Sequence, residues 1–235
     1  MAYQSGTGGS NETATATLTA GSNRMGIVAH AMEVTTVPTG MSATLDGNAL
    51  TSIGQVVSII DGGSYSVLTL WYAPETVIAA GSTGAISVSL GTGGAGHQGR
   101  STMYAQFSGR SQSAPTFASA GGSATGTAGT ATASASAANA DLFGACGHNG
   151  TATNTLGGDL ATSVYAAQPG GDHSNEIAYA AGVGSGSRSA TFTWGATARH
   201  AVAAVIMEAA GSSSYPVNII TSQQGVAFGT ARNRF

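Results

Sequence analysis

Few side chains in this 235-residue chain could do chemistry, and they lie far apart. The one cysteine, Cys146, lies two residues before His148, so in a strand both side chains would face one side and could supply two ligands of a metal site. A structural zinc site needs about four such ligands, and the chain has no second cysteine. The remaining histidines stand singly in the sequence: His30, His97, His173 and His200. We therefore expect no metal and no other cofactor.

Hydrolysis would require a Gly-x-Ser-x-Gly elbow or a pair of carboxylates. Residues 182–188, "GVGSGSR", have the serine out of register and precede a strand-like run, so we interpret them as a glycine-rich hairpin. Residues 91–100, "GTGGAGHQGR", lack the Lys-Ser/Thr of a phosphate loop and are expected to be an exposed loop. Four carboxylates are expected to be single charges at sheet edges: Glu33, Glu75, Glu176 and Glu208. We expect no catalytic, cofactor-binding or metal-binding residue, and no enzyme.

Three aromatic residues, Trp71, Tyr72 and Tyr104, could form a platform on which a sugar stacks. Adjacent side chains of a strand point to opposite faces, so at most one of Trp71 and Tyr72 is expected in the core, and the other can lie at the surface. Packing or subunit contact is the favoured role of these rings. Glycan binding is the alternative.

A short stretch occurs twice: "TLDGNALTSI" at residues 44–53 and "TLGGDLATSV" at residues 155–164. Asp-Gly and Gly-Gly between apolar residues favour a two-residue hairpin turn. Asp46 and Asp159 could also be metal ligands or catalytic acids, but they stand at different places in the two copies. We therefore predict that both are turn residues.

Five stretches recur in the same order, which indicates an internal duplication. The spacing falls from 117 residues between Thr13 and Thr130 to about 100 between residues 101–109 and 200–210, as loop shortening in the second copy would produce. Apolar residues alternate with serine or threonine in residues 85–90 and 189–194, the pattern of a strand with one buried face. The alanine-rich residues 198–210 could form a helix, and we favour a strand there.

The composition excludes several classes of protein. The chain has 36 glycines, 7% charged residues, no lysine and a net charge of −3, with 42% apolar residues, so it does not meet the conditions for disorder. It offers no basic patch for nucleic acid, no apolar run for a membrane and no secretory signal, and its single cysteine suits synthesis in a reducing cytoplasm. Low charge favours a protein that works inside an assembly.

The predicted fold is all-β: two tandem antiparallel β-sandwiches of jelly-roll-like form, followed by a C-terminal arm. The expected divisions are an N-terminal segment (1–11), a first sandwich (12–110), a linker (111–122), a second sandwich (123–210) and an extended arm (211–235). The arm is expected to pair with a neighbouring subunit by strand addition.

The first copy carries a run of motifs in a recognisable order. They are "SNRMGIVAHAMEV", "SATLDGNALTSIG", "SVLTLWYAP", "GAISVSL" and "RSTMYAQFSG". In this order they resemble a β-sandwich module of phage virion proteins and some large bacterial surface proteins. The second copy is more degenerate, with no aromatic at the position of Trp71 and "AD" at Ala140 and Asp141 in place of "NR".

The resemblance implies binding and assembly rather than catalysis. We expect a virion structural protein, made in the host cytoplasm, that decorates or cements a phage capsid. Its expected partners are identical subunits and the major capsid protein or another virion protein, with no nucleic acid and no membrane. The alternative is a tail-fibre or spike module that binds host glycan.

Overall fold

The described residues of the computed structural model are 3–9, 11–59, 63–78, 83–94, 96–120, 125–169 and 173–211. Within these ranges the chain forms sixteen β-strands and no α-helix, so the predicted all-β fold is confirmed. Accordingly, no helix in this part of the chain has the length and apolar character needed to cross a membrane.

The first half of the chain, up to residue 110, forms two sheets. Its strands are β1 (Tyr3–Gly9), β2 (Thr13–Thr17), β3 (Met25–Val34), β4 (Ser42–Leu45), β5 (Asn48–Ala49), β6 (Thr51–Ile59), β7 (Tyr65–Pro74), β8 (Thr83–Ser89) and β9 (Gln98–Phe107). A five-stranded sheet has the order β1-β9-β3-β7-β6, and a four-stranded sheet has the order β2-β8-β4-β5. Successive strands switch repeatedly between the two sheets, as in a jelly roll.

The second half repeats this arrangement. Its strands are β10 (Thr116–Ala120), β11 (Thr125–Ala135), β12 (Ala140–Asn149), β13 (Thr155–Gly158), β14 (Thr162–Ala167), β15 (His173–Val183) and β16 (Gly186–Met207). A five-stranded sheet has the order β10-β16-β12-β15-β14. The long strand β16 belongs to both sheets, because its first part pairs with β11 and β13 and its last part pairs with β12.

Cross-strand partners show which residues occupy the same place in the two halves. Val28 lies opposite Trp71 and Tyr104, and Gly144 lies opposite Ala178 and Ala204. Val28 and Gly144 are 116 residues apart, one fewer than the gapless alignment gives. Since a shift of one residue moves every side chain of a strand to its other face, the sequence alignment is wrong by one position here. The duplication itself stays a prediction.

The two five-stranded sheets, called the inner sheets below, pack face to face. One hydrophobic cluster joins Ile27, Leu70 and Met103 of the first half to Phe143 and Ile177 of the second. The opposite face of each inner sheet packs on the smaller, outer sheet of its own half. The molecule is therefore a stack of four layers, and the central strands of both inner sheets are buried on both faces.

Small residues let the inner sheets approach each other. A Cβ atom at Gly54 would lie 2.6 Å from the ring of Phe117, and one at Gly8 would lie 2.5 Å from the ring of Tyr165. In both pairs the glycine belongs to the first half and the ring to the second. Glycine thus provides the space for aromatic rings between the layers.

Three predicted segments have the following outcome. Strand β1 lies within residues 1–11 and strand β10 lies within the predicted linker 111–122, and each pairs with the last strand of its half. The expected N-terminal segment and linker therefore each supply a strand of an inner sheet. The predicted arm, apart from Gly211, lies outside the described residues.

The strand predictions for two ambiguous regions are confirmed. Residues 198–207 belong to strand β16 and not to a helix. In β8, exposed and buried residues alternate along the whole strand, and the predicted apolar face is the buried one. The first hairpin turn is also confirmed, since Asp46 and Gly47 connect β4 to β5 with positive φ values of 50° and 78°. The second predicted hairpin is wrong, because β13 pairs with β16 and β14 pairs with β15.

Candidate functional sites

A cavity opens in the second sandwich beside strands β14 and β15. It has a volume of about 540 Å³, within the roughly 300–1,000 Å³ typical of small-molecule sites. The loop after β12 supplies Ala152 and Asn154, strand β14 supplies Ser163 and Ala166, and strand β15 supplies Glu176. The lining thus combines small apolar side chains with a few polar groups and one acid.

Glu176 is buried at this cavity, with 3% of its surface exposed. It lies in β15, which has β12 on one side and β14 on the other. The expectation of a single charge at a sheet edge is therefore wrong for Glu176, because β15 is an interior strand. Burial raises the pKa of Glu176, and hydrogen bonds from Ser163 and Asn154 oppose that shift.

Asn154 connects Glu176 to a buried histidine. The Nε2 atom of His148 lies 3.0 Å from Oδ1 of Asn154. The side chain of Asn154 thus contacts both His148 and Glu176. His148 stacks on Trp194 at 4.5 Å between ring centroids, and burial lowers the pKa of His148. These contacts place Asn154 between the ring and the acid.

Cys146 and His148 are not joined by a third metal-ligating side chain among the residues that the structure describes. Both residues are buried and lie on the same strand, β12, as the spacing predicts. Burial raises the pKa of the Cys146 thiol, so the thiolate that a metal requires is disfavoured. Among the residues that the structure describes, no three His, Cys, Asp or Glu side chains come together as metal ligands would.

The three aromatic residues do not form a platform for sugar stacking. Trp71 and Tyr104 are buried in the core of the first sandwich, with exposures of 1% and 0%. Tyr72 points to the opposite face, as predicted, and packs against the cluster between the inner sheets. Their role is packing, which corrects the alternative that placed a sugar on these rings.

Asp46 and Asp159 are turn residues, as predicted. Asp46 Oδ1 accepts a hydrogen bond from the backbone of Ala85 at 2.7 Å, and Asp159 Oδ2 accepts one from Ser189 at 2.7 Å. The backbone N–H of Asp46 also donates to the carbonyl of Ala85, and that of Asp159 donates to the carbonyl of Ser189, both at 2.8 Å. The two acids are therefore structurally equivalent, although the sequence alignment places them at different positions of the turn. Arg188 forms an ion pair with Asp159 in the second half.

The outer sheets present a second type of surface. Every exposed residue of β2, β8 and β11 is threonine, serine or alanine: Thr13, Thr15, Thr17, Thr83, Ala85, Ser87, Ser89, Thr125, Thr127, Ala128, Thr130, Thr132 and Ser134. Some hydroxyls bond across strands, as between Thr130 and Thr191 at 2.8 Å. Both ends of the four-layer stack thus carry arrays of short, uncharged side chains.

A comparison of the chain with family models, with curated proteins and with solved structures finds no match in any of the three. Two features therefore bear on function: the uncharged outer faces and the cavity around Glu176. The cavity could not be predicted from the sequence, because no motif shows that the loop before β13 and the strands β14 and β15 bring Asn154, Ser163 and Glu176 together.

Proposed function

We propose that this chain is a non-enzymatic structural protein of a phage virion, a decoration or cement protein that stabilises the head through subunit contacts. The observation that carries the proposal is the pair of uncharged Thr/Ser/Ala faces on the outer sheets. The order of motifs that resembles a phage virion module supports the same role.

These faces suit contact with other proteins for two physical reasons. Short side chains lose little rotamer entropy when they are ordered, whereas long charged ones lose up to about 2 kcal/mol each. Burying them also removes no charge from water, so no ion has to be desolvated. A net charge of −3 on 235 residues leaves little repulsion between copies.

The stack of four layers supports a bridging role. Because one hydrophobic cluster joins the two halves, the halves are expected to move as one body. The proposed partners, identical subunits and the major capsid protein, would contact the two outer sheets. The predicted arm at residues 211–235 would add a contact by pairing with a neighbouring sheet edge.

The test locates the chain on particles and then disrupts one outer face. Ser87 lies in β8, between β2 and β4, and is exposed. Gold-labelled antibodies should bind heads, and Ser87→Lys should reduce the amount of chain that copurifies with heads. The matched control is Ser113→Lys on an exposed loop, which should copurify as the wild type does. Labelling confined to tails, or a chain absent from particles, would contradict the proposal.

The alternative role, a tail-fibre or spike module that binds host glycan, is favoured by one observation, the cavity around Glu176. In that case the labelling experiment would place the chain on tails rather than heads.

A further inference from the structure

We propose that the cavity around Glu176 is a binding site for a saccharide, which it recognises through two neighbouring hydroxyl groups of one sugar ring. The proposal does not depend on the virion role, because the site is built within one chain. The source of the sugar, free in solution or at the end of a glycan, is left to the experiment.

The first half carries a cluster of three side chains in the corresponding region. There the sulfur of Met41 lies 3.3 Å from Oγ1 of Thr69 and 3.4 Å from Nε2 of Gln55. Gln55 also donates to Thr69 at 3.2 Å. A thioether, an amide and a hydroxyl thus contact one another at this place in the first sandwich.

The second half has different side chains at these places. Gln55 lies opposite Thr69, and in the equivalent strand pair Ala166 lies opposite Glu176. Met41 directly precedes β4, and Asn154 directly precedes β13. Asn154 contacts Glu176, just as Met41 contacts Thr69 in the first half. The short side chain of Ala166 leaves the space open, and an acid replaces a hydroxyl at its inner wall.

Burying this acid opposes folding. An ion moved out of water costs several kcal/mol unless an opposite charge or hydrogen bonds compensate it. The groups that act on Glu176 are the hydroxyl of Ser163 and the amide of Asn154, both uncharged. A buried acid that lines a cavity is a candidate for ligand binding.

The free acceptor positions of Glu176 select the ligand. A carboxylate has about four lone-pair positions, and Ser163 and Asn154 use two of them. About two acceptor positions are thus left for a ligand, and neighbouring hydroxyls on a sugar ring can donate to both.

The other polar groups favour hydroxyls over an ammonium group. Ser174 donates its hydroxyl proton to the carbonyl of Gly150 at 2.7 Å, so its oxygen can still accept from a ligand. The hydroxyl of Ser163 and the amide of Gln168 also line the cavity, and both kinds of group donate and accept. Sugar hydroxyls do the same, whereas an ammonium group only donates. A single carboxylate is also a poor site for a divalent cation.

The experiment screens the full chain against D-glucose, D-galactose, D-mannose and N-acetyl-D-glucosamine by saturation-transfer NMR and then measures the dissociation constant of any that binds. We expect at least one sugar to bind, and its deoxy analogue lacking one of the two hydroxyls to bind more weakly. Glu176→Gln should weaken binding about tenfold or more, since a hydrogen bond to a charged group contributes about 1.5–3 kcal/mol.

Two methionine variants separate loss of the site from loss of the fold. Ala166→Met should fill the cavity and abolish binding, whereas Ala128→Met, on the exposed face of β11, should bind as the wild type does. Thermal unfolding checks that both variants are folded. The proposal is overturned if none of the four sugars binds, if binding survives Ala166→Met, or if only amines bind.

An oligosaccharide ending in the same sugar distinguishes the two sources. Tighter binding of the oligosaccharide indicates a host glycan, and equal binding indicates a free sugar. Both outcomes support the site. Because the particle-labelling experiment measures location and not sugar binding, the two proposals can fail independently.

Discussion

The two halves of the chain have equivalent strands but different interiors at one end. In the first half Met41, Gln55 and Thr69 contact one another. In the second half Ala166 and Glu176 stand where Gln55 and Thr69 do, and a cavity of about 540 Å³ opens beside them. Different side chains at matching strand positions thus give the two halves different interiors in this region.

The halves also differ in how they bury an arginine. Arg24 pairs with Glu75, whose side chain is one-third exposed, at 33%. Arg110 pairs with Asp141, and these two side chains are 2% and 0% exposed. The second pair joins the end of the first half to the first residues of β12, so it also connects the two inner sheets. Charge is therefore buried more deeply at the junction than within the first sandwich.

Removing the deeper arginine should have the largest effect. Arg110→Met leaves Asp141 buried without its partner, which is expected to reduce the free energy of unfolding by about 3–5 kcal/mol. Arg24→Met should cost less, about 1–2 kcal/mol, because water can solvate the exposed part of Glu75. Urea unfolding of both variants measures the two losses. Equal losses would show that the burial of the two pairs does not decide their contributions.

Moving the acid of the second half into the first tests the contrast between the interiors. Thr69→Glu puts a carboxylate against Met41 and should reduce the free energy of unfolding by about 3 kcal/mol or more, since the cavity that accommodates Glu176 is filled there. The reciprocal change, Glu176→Thr, should cost nothing or stabilise the protein by about 1 kcal/mol. Guanidinium unfolding measures both. A large loss from Glu176→Thr would mean that the acid stabilises the fold rather than serving a ligand.

The sequence predicts the strands well where one face is apolar and the other carries hydroxyls. Strand β8 and the first part of β16 have this pattern, and both predictions are confirmed. The stacking of the inner sheets could not be predicted, because alanine and glycine occupy both faces of β12 and give no alternation. A strand of small residues that is buried on both faces resembles low-complexity sequence.

The cavity could not be predicted for a different reason. Glu176 looks like an edge charge in the sequence, since nothing in its neighbourhood shows that β12 and β14 flank it. The equivalence of Asp46 and Asp159 could not be predicted either. Matching residues 44–53 with residues 155–164 sets Asp46 beside Gly157, two positions before Asp159. Both errors concern which residues become neighbours across strands, which depends on loop length as well as on pattern.

The smallest expected effect is a pH dependence that only the second half carries. Because burial raises the pKa of Glu176 above its ordinary value of 4.5, the folded protein keeps this proton at pH values at which the unfolded chain has lost it. The wild type should therefore lose stability as the pH rises from about 4.5 until the folded pKa has been passed. Glu176→Gln has no proton to lose, so its stability relative to the wild type should increase over that range.

Comparing the wild type with Glu176→Gln at each pH removes the effect of the histidines on stability. Burial lowers the pKa of His30 to about 4 and that of His173 to about 3, so both reduce stability as the pH falls below 6.5. These residues are present in both proteins, and their contributions cancel in the difference. Urea unfolding at a series of pH values gives that difference directly. If the difference in free energy of unfolding stayed constant from pH 4 to pH 8, water would reach Glu176 freely. The two halves would then differ in side-chain packing but not in the electrostatics of this region.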